Sequence, residues 1–440
     1  MEYISNIIFI LLAFIGIGFF LRNLFKIRRN ILLGKPENRS VQPKQRFKLM
    51  LRIALGQGKM MFKPVAGFFH ILIYVGFILI NIDLIEIFID GIFDTHRYIG
   101  QLLSPYLYNY ITASLDVLSY LVLIAVVVFF SRRNFIKVPR LKSNELSGWP
   151  KKDANIILIV EFLMMLAVIF ANSSEVVLQQ KNAIHIVGYF PLSSWLISPW
   201  LSNLTIHQLT IVFSSCWWLH YIGILIFMNY LYYSKHLHIL FAFPNTYYSN
   251  LKNKGEFNNL SSVTEEVKLM MDPNINPFTE EGSSDQISEK FGANEVTDLS
   301  WIQLLNAYTC TECGRCTSSC PANLTGKKLS PRKIMMDVRD RVEEVGRNID
   351  KNGEFVEDGK QLLGDYITKE EIWACTTCNA CVESCPLQID PLSIIIDLRR
   401  YLVMEKSEVP QELNGMMSCI ENNNAPWPFN NTDRENWSKE

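Results

Sequence analysis

The sequence has almost no net charge: 42 basic residues stand against 43 acidic ones, and charged residues make up only 19% of the 440. That balance gives no support to nucleic-acid binding, which needs a basic excess on one face. A Gly-rich dinucleotide fingerprint is also missing, so this chain is not expected to bind flavin or nicotinamide itself. The first hydrophobic run has no basic segment before it and no small-residue cleavage site after it, and is expected to be retained as a helix. Cysteine is present ten times, but eight of the ten fall into two tight clusters late in the chain. Such crowding reads as metal ligation, with a disulfide scaffold the weaker reading.

Hydrophobic residues reach 49%, concentrated in the first half. Five apolar runs, roughly 4–25, 64–87, 110–130, 154–171 and 204–233, are long enough to cross about 30 Å of hydrocarbon. The stretch between the first two carries Arg22, Lys26, Arg28, Arg29, Lys35, Arg39, Lys44, Arg46, Lys48, Arg52, Lys59 and Lys63 against Glu37. The loop after the third carries Arg132, Arg133, Lys137, Arg140, Lys142, Lys151 and Lys152 against Glu145. Basic loops stay in the cytoplasm, so the N-terminus is expected outside and the C-terminus inside. The same rule accounts for the basic residues without a lipid or nucleic-acid patch.

Ionisable or ligand side chains inside spans are costly and usually functional. Here they are His70, Asp116, Glu161 and His220, with His236 and His238 following the fifth run. On one straight helix His220 and His238, 18 residues apart, lie five turns and about 27 Å from each other on the same face. His236 then falls about 160° from His220, and His207 is similarly off-face. Imidazoles on one face opposite a histidine of another helix suit b-type haem, but depth along the helices leaves open which of the two His70 faces. Asp116 and Glu161 read equally as proton carriers at a quinone site or as hydrogen-bonded acids near helix ends.

The segments GFFHILIYVGF and WLHYIGILIFMNYLYYSKHLHI resemble the haem-binding gamma subunit of respiratory nitrate reductase. The resemblance implies that His70 and His238 hold one haem b nearer the cytoplasm. The family's second haem uses the position of His220 together with a helix-two histidine that is Ile80 here, so a second haem at His220 is expected only where a loop histidine such as His96 or His185 substitutes.

Residues 246–298 form a polar linker. Beyond it Cys310, Cys313, Cys316, Cys320 and Pro321 spell C-x2-C-x2-C-x3-C-P, and Cys375, Cys378, Cys381, Cys385 and Pro386 repeat it. This is the bacterial ferredoxin spacing for two 4Fe–4S clusters, in which three thiolates wrap one cluster and the fourth reaches the other. Crossed ligation follows: Cys310, Cys313, Cys316 and Cys385 for one cluster, Cys375, Cys378, Cys381 and Cys320 for the other. Zinc is the weaker alternative, and Cys216 and Cys419 read as ordinary thiols.

The stretches CTECGRCTSSCPANLTGKKLSPRKI and CTTCNACVESCP resemble the iron–sulfur subunits related to those of heterodisulfide reductase and glycerol-3-phosphate dehydrogenase. With the membrane half, the chain resembles membrane iron–sulfur oxidoreductases that take electrons from electron-transfer flavoprotein to quinone. The expected fold class is an all-α membrane domain of five helices (1–245), the linker, a mainly helical two-cluster ferredoxin-type domain in the cytoplasm (299–405) and a tail (406–440). Such relatives continue into cysteine-rich CCG domains, and CIENNNAPWPFNNTDRENW is similar to the junction before them. The resemblance therefore implies a bacterial inner-membrane electron-transfer subunit whose partners are a CCG-domain iron–sulfur subunit, a flavoprotein donor and membrane quinone. The competing expectations are a quinol-linked reductase acting on a disulfide or organic substrate at the partner's CCG site, and a membrane redox sensor.

Overall fold

The computed structural model describes residues 4–136, 138–253, 255–272 and 290–439; Lys137 of the second basic loop and residues 273–289 of the linker lie outside the described residues. Among the described residues every regular element is a helix, with only two isolated β-bridges besides. Five helices are long and apolar enough to cross a membrane: Ile4–Ile31, Pro64–Phe93, Pro105–Asn134, Trp149–Gln180 and Ile206–Tyr233. Their 28–32 residues reach roughly 42–48 Å, more than the hydrocarbon needs, so their polar ends project beyond it. The apolar runs therefore mark the cores of these helices and not their ends.

Local chemistry starts the helices where they start. Proline occupies the first turn of the second, third and fourth, where its missing N–H costs nothing. Ser104 Oγ accepts from Leu107 N before the third, and Thr205 with Gln208 forms a capping box before the fifth. The helices then close into a ring in which the first touches the second and fifth, and each of the others packs on its sequence neighbours. Small residues set the approach: a Cβ on Gly76 would lie 2.4 Å from Val122 of the third helix. Outward residues such as Phe14, 80% exposed, leave an apolar face for lipid.

The fifth helix does not run on through the histidines. Its α-helical part ends at Tyr230, a 3-10 turn covers Leu231–Tyr233, and Ser234 is extended (φ −116°, ψ 144°). A second 3-10 turn, Lys235–Leu237, leads into helix His238–Tyr247. The straight-helix relation between His220 and His238 therefore does not hold, nor does the turning away of His236.

The cysteine-bearing domain sits on the end of the bundle that carries both basic loops. Its long helix Pro331–Asn352 buries a stripe of Ile334, Met335, Val338, Val342 and Val345. One core joins these residues to Ile27 and Ile31 of the first membrane helix and to Leu231, Leu237 and Ala242 after the fifth. Backbone bonds from Lys35 N to Leu299 O (2.7 Å) and from Trp301 N to Lys35 O (3.1 Å) tie the first loop on. Residues 293–298, read above as linker, belong to this core, with Ala293 and Val296 fully buried. Helix Gln411–Asn423 of the tail keeps Met416, Met417 and Ile420 exposed, as are Trp427 and Trp437.

Candidate metal centres

The two cysteine motifs share one backbone path. Glu312 and Thr377, immediately before the second cysteine of each, are left-handed (φ 55° and 54°), as are Gly314 and Asn379 immediately after it (φ 71° and 61°). Left-handed residues flanking a cysteine turn successive N–H groups to one side, the arrangement that cradles anions. Short helices Arg315–Ser318 and Ala380–Ser384 follow and pack on each other. The chain then extends at Cys320 and Cys385 into proline. Thr377 N donates to Cys375 Sγ and Ile389 N to Cys385 Sγ, both at 3.4 Å.

One cavity is lined by Cys310, Cys313, Cys316 and Cys385, which belong to both motifs. On the other side Cys320 lies within electrostatic reach of Cys375 and Cys381. All ten cysteines are free. Among the described residues no three metal-binding side chains converge tightly enough for a single ion, whereas the four thiols around the cavity surround a space, as ligands of a polynuclear cluster must. Burial pushes the Cys310 thiol up to about 12 and Cys385 to about 11. Thiolates at these positions therefore need metal charge to compensate them, and the donor set fits iron–sulfur clusters.

The histidines form a second group. His238 Nδ1 lies 3.1 Å from Lys235 O, so with the proton on Nδ1 its Nε2 is the nitrogen left to ligate. The His236 ring is 5.4 Å from that of His238, and His70 is within electrostatic reach of both. His70 Nδ1 is buried without a partner. His236 Nε2 also lies 3.6 Å from Glu161. The break at Ser234 thus brings three imidazoles and a carboxylate together at the domain junction.

His220 is elsewhere. It is 5% exposed, with both ring nitrogens buried and the Met164 backbone close to the ring. It lines a cavity of about 180 Å³ at the opposite end of the bundle together with His96, Asp83, Glu86, Arg97 and Trp217. His185 and His207 are exposed and away from that cavity. Arg97 pairs with Glu175 (2.9 Å), Asp83 and Glu86 (3.1 Å each), and Tyr108 donates to Glu86 (2.7 Å). Asp83 and Glu86 were hidden to sequence reasoning inside an apolar run; their i, i+3 spacing was the available signal. Asp116 is structural: its carboxylate accepts from Leu192 N, Ser193 N and Ser193 Oγ, and so holds the helix Pro191–Leu196.

Sequence reasoning also passed over the charges that join the two centres. Lys235, three residues before His238, pairs with Glu312 of the first cysteine motif, and Arg339 pairs with the same carboxylate at 2.5 Å. Burial would raise Glu312, but Arg339 and Lys235 hold its carboxyl below the usual range. Arg315, between Cys313 and Cys316, donates to Lys59 O (3.1 Å) and is within electrostatic reach of His70.

Comparison with known proteins bears on the same residues. The 4Fe-4S dicluster domain model matches residues 309–389. The chain is 30% identical over 93% of its length to the probable iron-sulfur-binding oxidoreductase FadF of Bacillus subtilis, covering 57% of that protein. It is 27% identical over 97% of its length to the EtfAB:quinone oxidoreductase of Syntrophomonas wolfei, covering 58% of it. A shorter match, 34% identical over 27% of the chain and 60% of the relative, is to one subunit of the ferredoxin/F(420)H(2)-dependent CoB-CoM heterodisulfide reductase of Methanosarcina acetivorans. The chain thus spans a little under three fifths of the two long relatives. No solved structure matches. Its homologues are iron–sulfur oxidoreductases, and it carries a 4Fe–4S ferredoxin-type domain.

Proposed function

We propose that this chain is the membrane electron-transfer subunit of an oxidoreductase, working between a reduced flavoprotein in the cytoplasm and the quinone pool of a bacterial inner membrane. The observation that carries the reading is the cavity lined by cysteines of both motifs, set against the end of a five-helix membrane bundle. Cys310, Cys313, Cys316 and Cys385 would hold one 4Fe–4S cluster, and Cys375, Cys378, Cys381 and Cys320 the other. His70 and His238 would hold haem b, with the Lys235 carbonyl orienting the His238 ring. His220 is kept as a ligand for a second haem, and His96 is favoured over His185 as its partner because it lines the same cavity. When bound, the clusters and haem supply one-electron carriers between the donor and quinone, which takes up two electrons and two protons to become quinol.

The chain's own residues fix spacing and exclude water. Arg315 and Lys235 pin the first cysteine motif to the segments that carry His70 and His238. The orientation follows the basic loops, which lie on the side of the cysteine domain. A CCG-domain iron–sulfur subunit is expected to complete the enzyme, docking by the ferredoxin-type domain and the tail around Trp427 and Trp437, whose exposed rings suit an interface.

The purified chain tests this reading. It should contain iron and acid-labile sulfide for two 4Fe–4S clusters and show a b-type spectrum that a menaquinone or ubiquinone analogue reoxidises after chemical reduction. Coexpression with a CCG-domain subunit should raise the rate at which a reduced flavoprotein reduces quinone; an unchanged rate would overturn the partner assignment. The similarity to a heterodisulfide reductase component favours a second reading, in which quinol electrons reduce a disulfide at the partner's site. Cluster potentials above that of the haem would select it.

A further inference from the structure

The two cysteine sites sit in unlike electrostatic surroundings. Arg315 and Arg332 line the cavity of Cys310, Cys313, Cys316 and Cys385. The Arg332 guanidinium lies over the backbone between the second and third cysteines, so that a Cβ on Gly314 would come within 2.4 Å of its Nη1. Arg332 is wholly buried; it donates to Arg140 O (2.8 Å) and pairs with Glu145 (2.7 Å), yet its Nε has no partner. Arg140 Nη1 is likewise buried without a partner, and Arg140 is within electrostatic reach of Cys313. Arg339 is within electrostatic reach of Cys310, and Lys59 of Cys385. The acids paired most closely with these cations are Glu312, shared by Arg339 and Lys235, and Glu145. Around the other site Arg399 donates to Cys375 O, and the acid Asp390 is within electrostatic reach of Cys381. That site is also the wetter one, since Cys378 is exposed and Leu324, just past Cys320, is 70% exposed.

Adding an electron to a cluster adds one negative charge, which nearby cations and N–H donors stabilise more the drier the site. We propose that Arg140, Arg315 and Arg332 form a cationic collar giving the site of Cys310, Cys313, Cys316 and Cys385 the higher reduction potential, so that electrons enter beside Cys378 and run towards the membrane. This rests on the cluster assignment above. In each transfer one electron leaves the Cys375, Cys378, Cys381 and Cys320 site, which is oxidised, and arrives at its neighbour, which is reduced. No bond breaks and no proton moves, and the reduced flavoprotein, acting through the CCG-domain subunit, replaces the electron. Arg315, reaching Lys59 O and the neighbourhood of His70, marks the exit.

The test is a redox titration of the full chain followed by electron paramagnetic resonance, on wild type and on Arg140→Gln, Arg140→Lys and Arg399→Gln. Arg140→Gln should make reduction of the higher-potential cluster about tenfold less favourable, about 59 mV for one electron, and leave the other in place. Arg140→Lys should restore most of the shift, and Arg399→Gln should move only the lower-potential cluster. If Arg140→Gln moves the lower-potential cluster, or neither, the collar is wrong. Should that variant fail to fold, Cys378→Ser answers the same question: it must alter the signal of the lower-potential cluster, and alteration of the other overturns the proposal. Iron too low for two clusters in wild type would instead sink the cluster assignment itself.

Discussion

Removing the charge of Lys235 should loosen the junction between the membrane bundle and the cysteine domain. Lys235 Nζ pairs with Glu312, lies 3.7 Å from Asp153 and donates to Pro150 O at 2.8 Å, while its backbone N donates to Asp153 at 3.2 Å. Side-chain exposures of 10% for Lys235 and 3% for Glu312 mean that little water replaces the lost partner. Two unit charges about 4 Å apart interact by roughly 4 kcal/mol at an effective dielectric of about 20. Stripping one partner from a buried pair costs about 3–5 kcal/mol. Glu312 keeps Arg339, and Asp153 keeps the Tyr230 hydroxyl (2.7 Å) and the Lys235 N–H, so the cost of Lys235→Met falls to about 2–3 kcal/mol. The assay is a double-mutant cycle with Glu312→Gln, read by native-state hydrogen exchange of the cysteine domain in lipid nanodiscs. Coupling of about 2 kcal/mol is expected; additivity within about 0.5 kcal/mol would refute the pairing as a structural tie.

Other substitutions probe the sites directly. Cys320→Ala should remove the cluster otherwise held by Cys375, Cys378 and Cys381; loss of only the Cys310, Cys313 and Cys316 signal in electron paramagnetic resonance would contradict crossed ligation. His70→Ala and His238→Ala should each abolish the same b-type absorbance, whereas His236→Ala, next to His238 but not replacing it, should shift the band or its potential without abolishing it. An intact spectrum in His238→Ala would remove the assigned pair. Burial pushes the Asp337 carboxyl up to about 7, against the pull of Lys333. Because the folded state holds this proton to higher pH than the unfolded chain, stability should fall as pH rises from about 4 through about 7. Asp337→Asn should accordingly gain more in thermal midpoint at pH 8 than at pH 5, and an equal change at both would refute the shift.

The parts of this molecule that were legible in the sequence are those whose signal is local. Apolar runs mark the spans because hydrocarbon tests each residue separately, and the repeated cysteine spacing carries its geometry within a dozen residues. The left-handed turns at Glu312 and Thr377 show how strongly that spacing constrains the backbone: neither residue is glycine, yet both adopt the same path. What was not legible depends on interruptions and on long-range pairing. The stretch around Ser234 has no proline or glycine to announce a break; the new turn is held by the Ser234 hydroxyl, which accepts from His236 N, and by the distant Asp153, which accepts from Lys235 N. Helical phase therefore failed at the point where the histidines mattered most.

Charges inside the bundle were passed over for a related reason. Asp83 and Glu86 are submerged in an apolar run, while Glu175 and Arg97 look like sparse charges of loops far apart in the chain. Folding brings them to one place, where a single guanidinium meets three carboxylates. A buried cation so surrounded is compensated by its partners, which frees the sequence around it to stay apolar and hides the cluster from any local scan. The same logic holds at the other end, where Arg332 looks like an ordinary residue of a charged helix until Arg140, Ser143 and Glu145 are folded onto it. Its unpartnered Nε then becomes informative, because a buried donor that Glu145, Ser143 and Arg140 leave unfilled, on a guanidinium lining the cavity of four thiols, suits an anionic occupant. An iron–sulfur cluster with thiolate ligands is such an anion, so the arginines and the cysteines argue for the same site from independent chemistry.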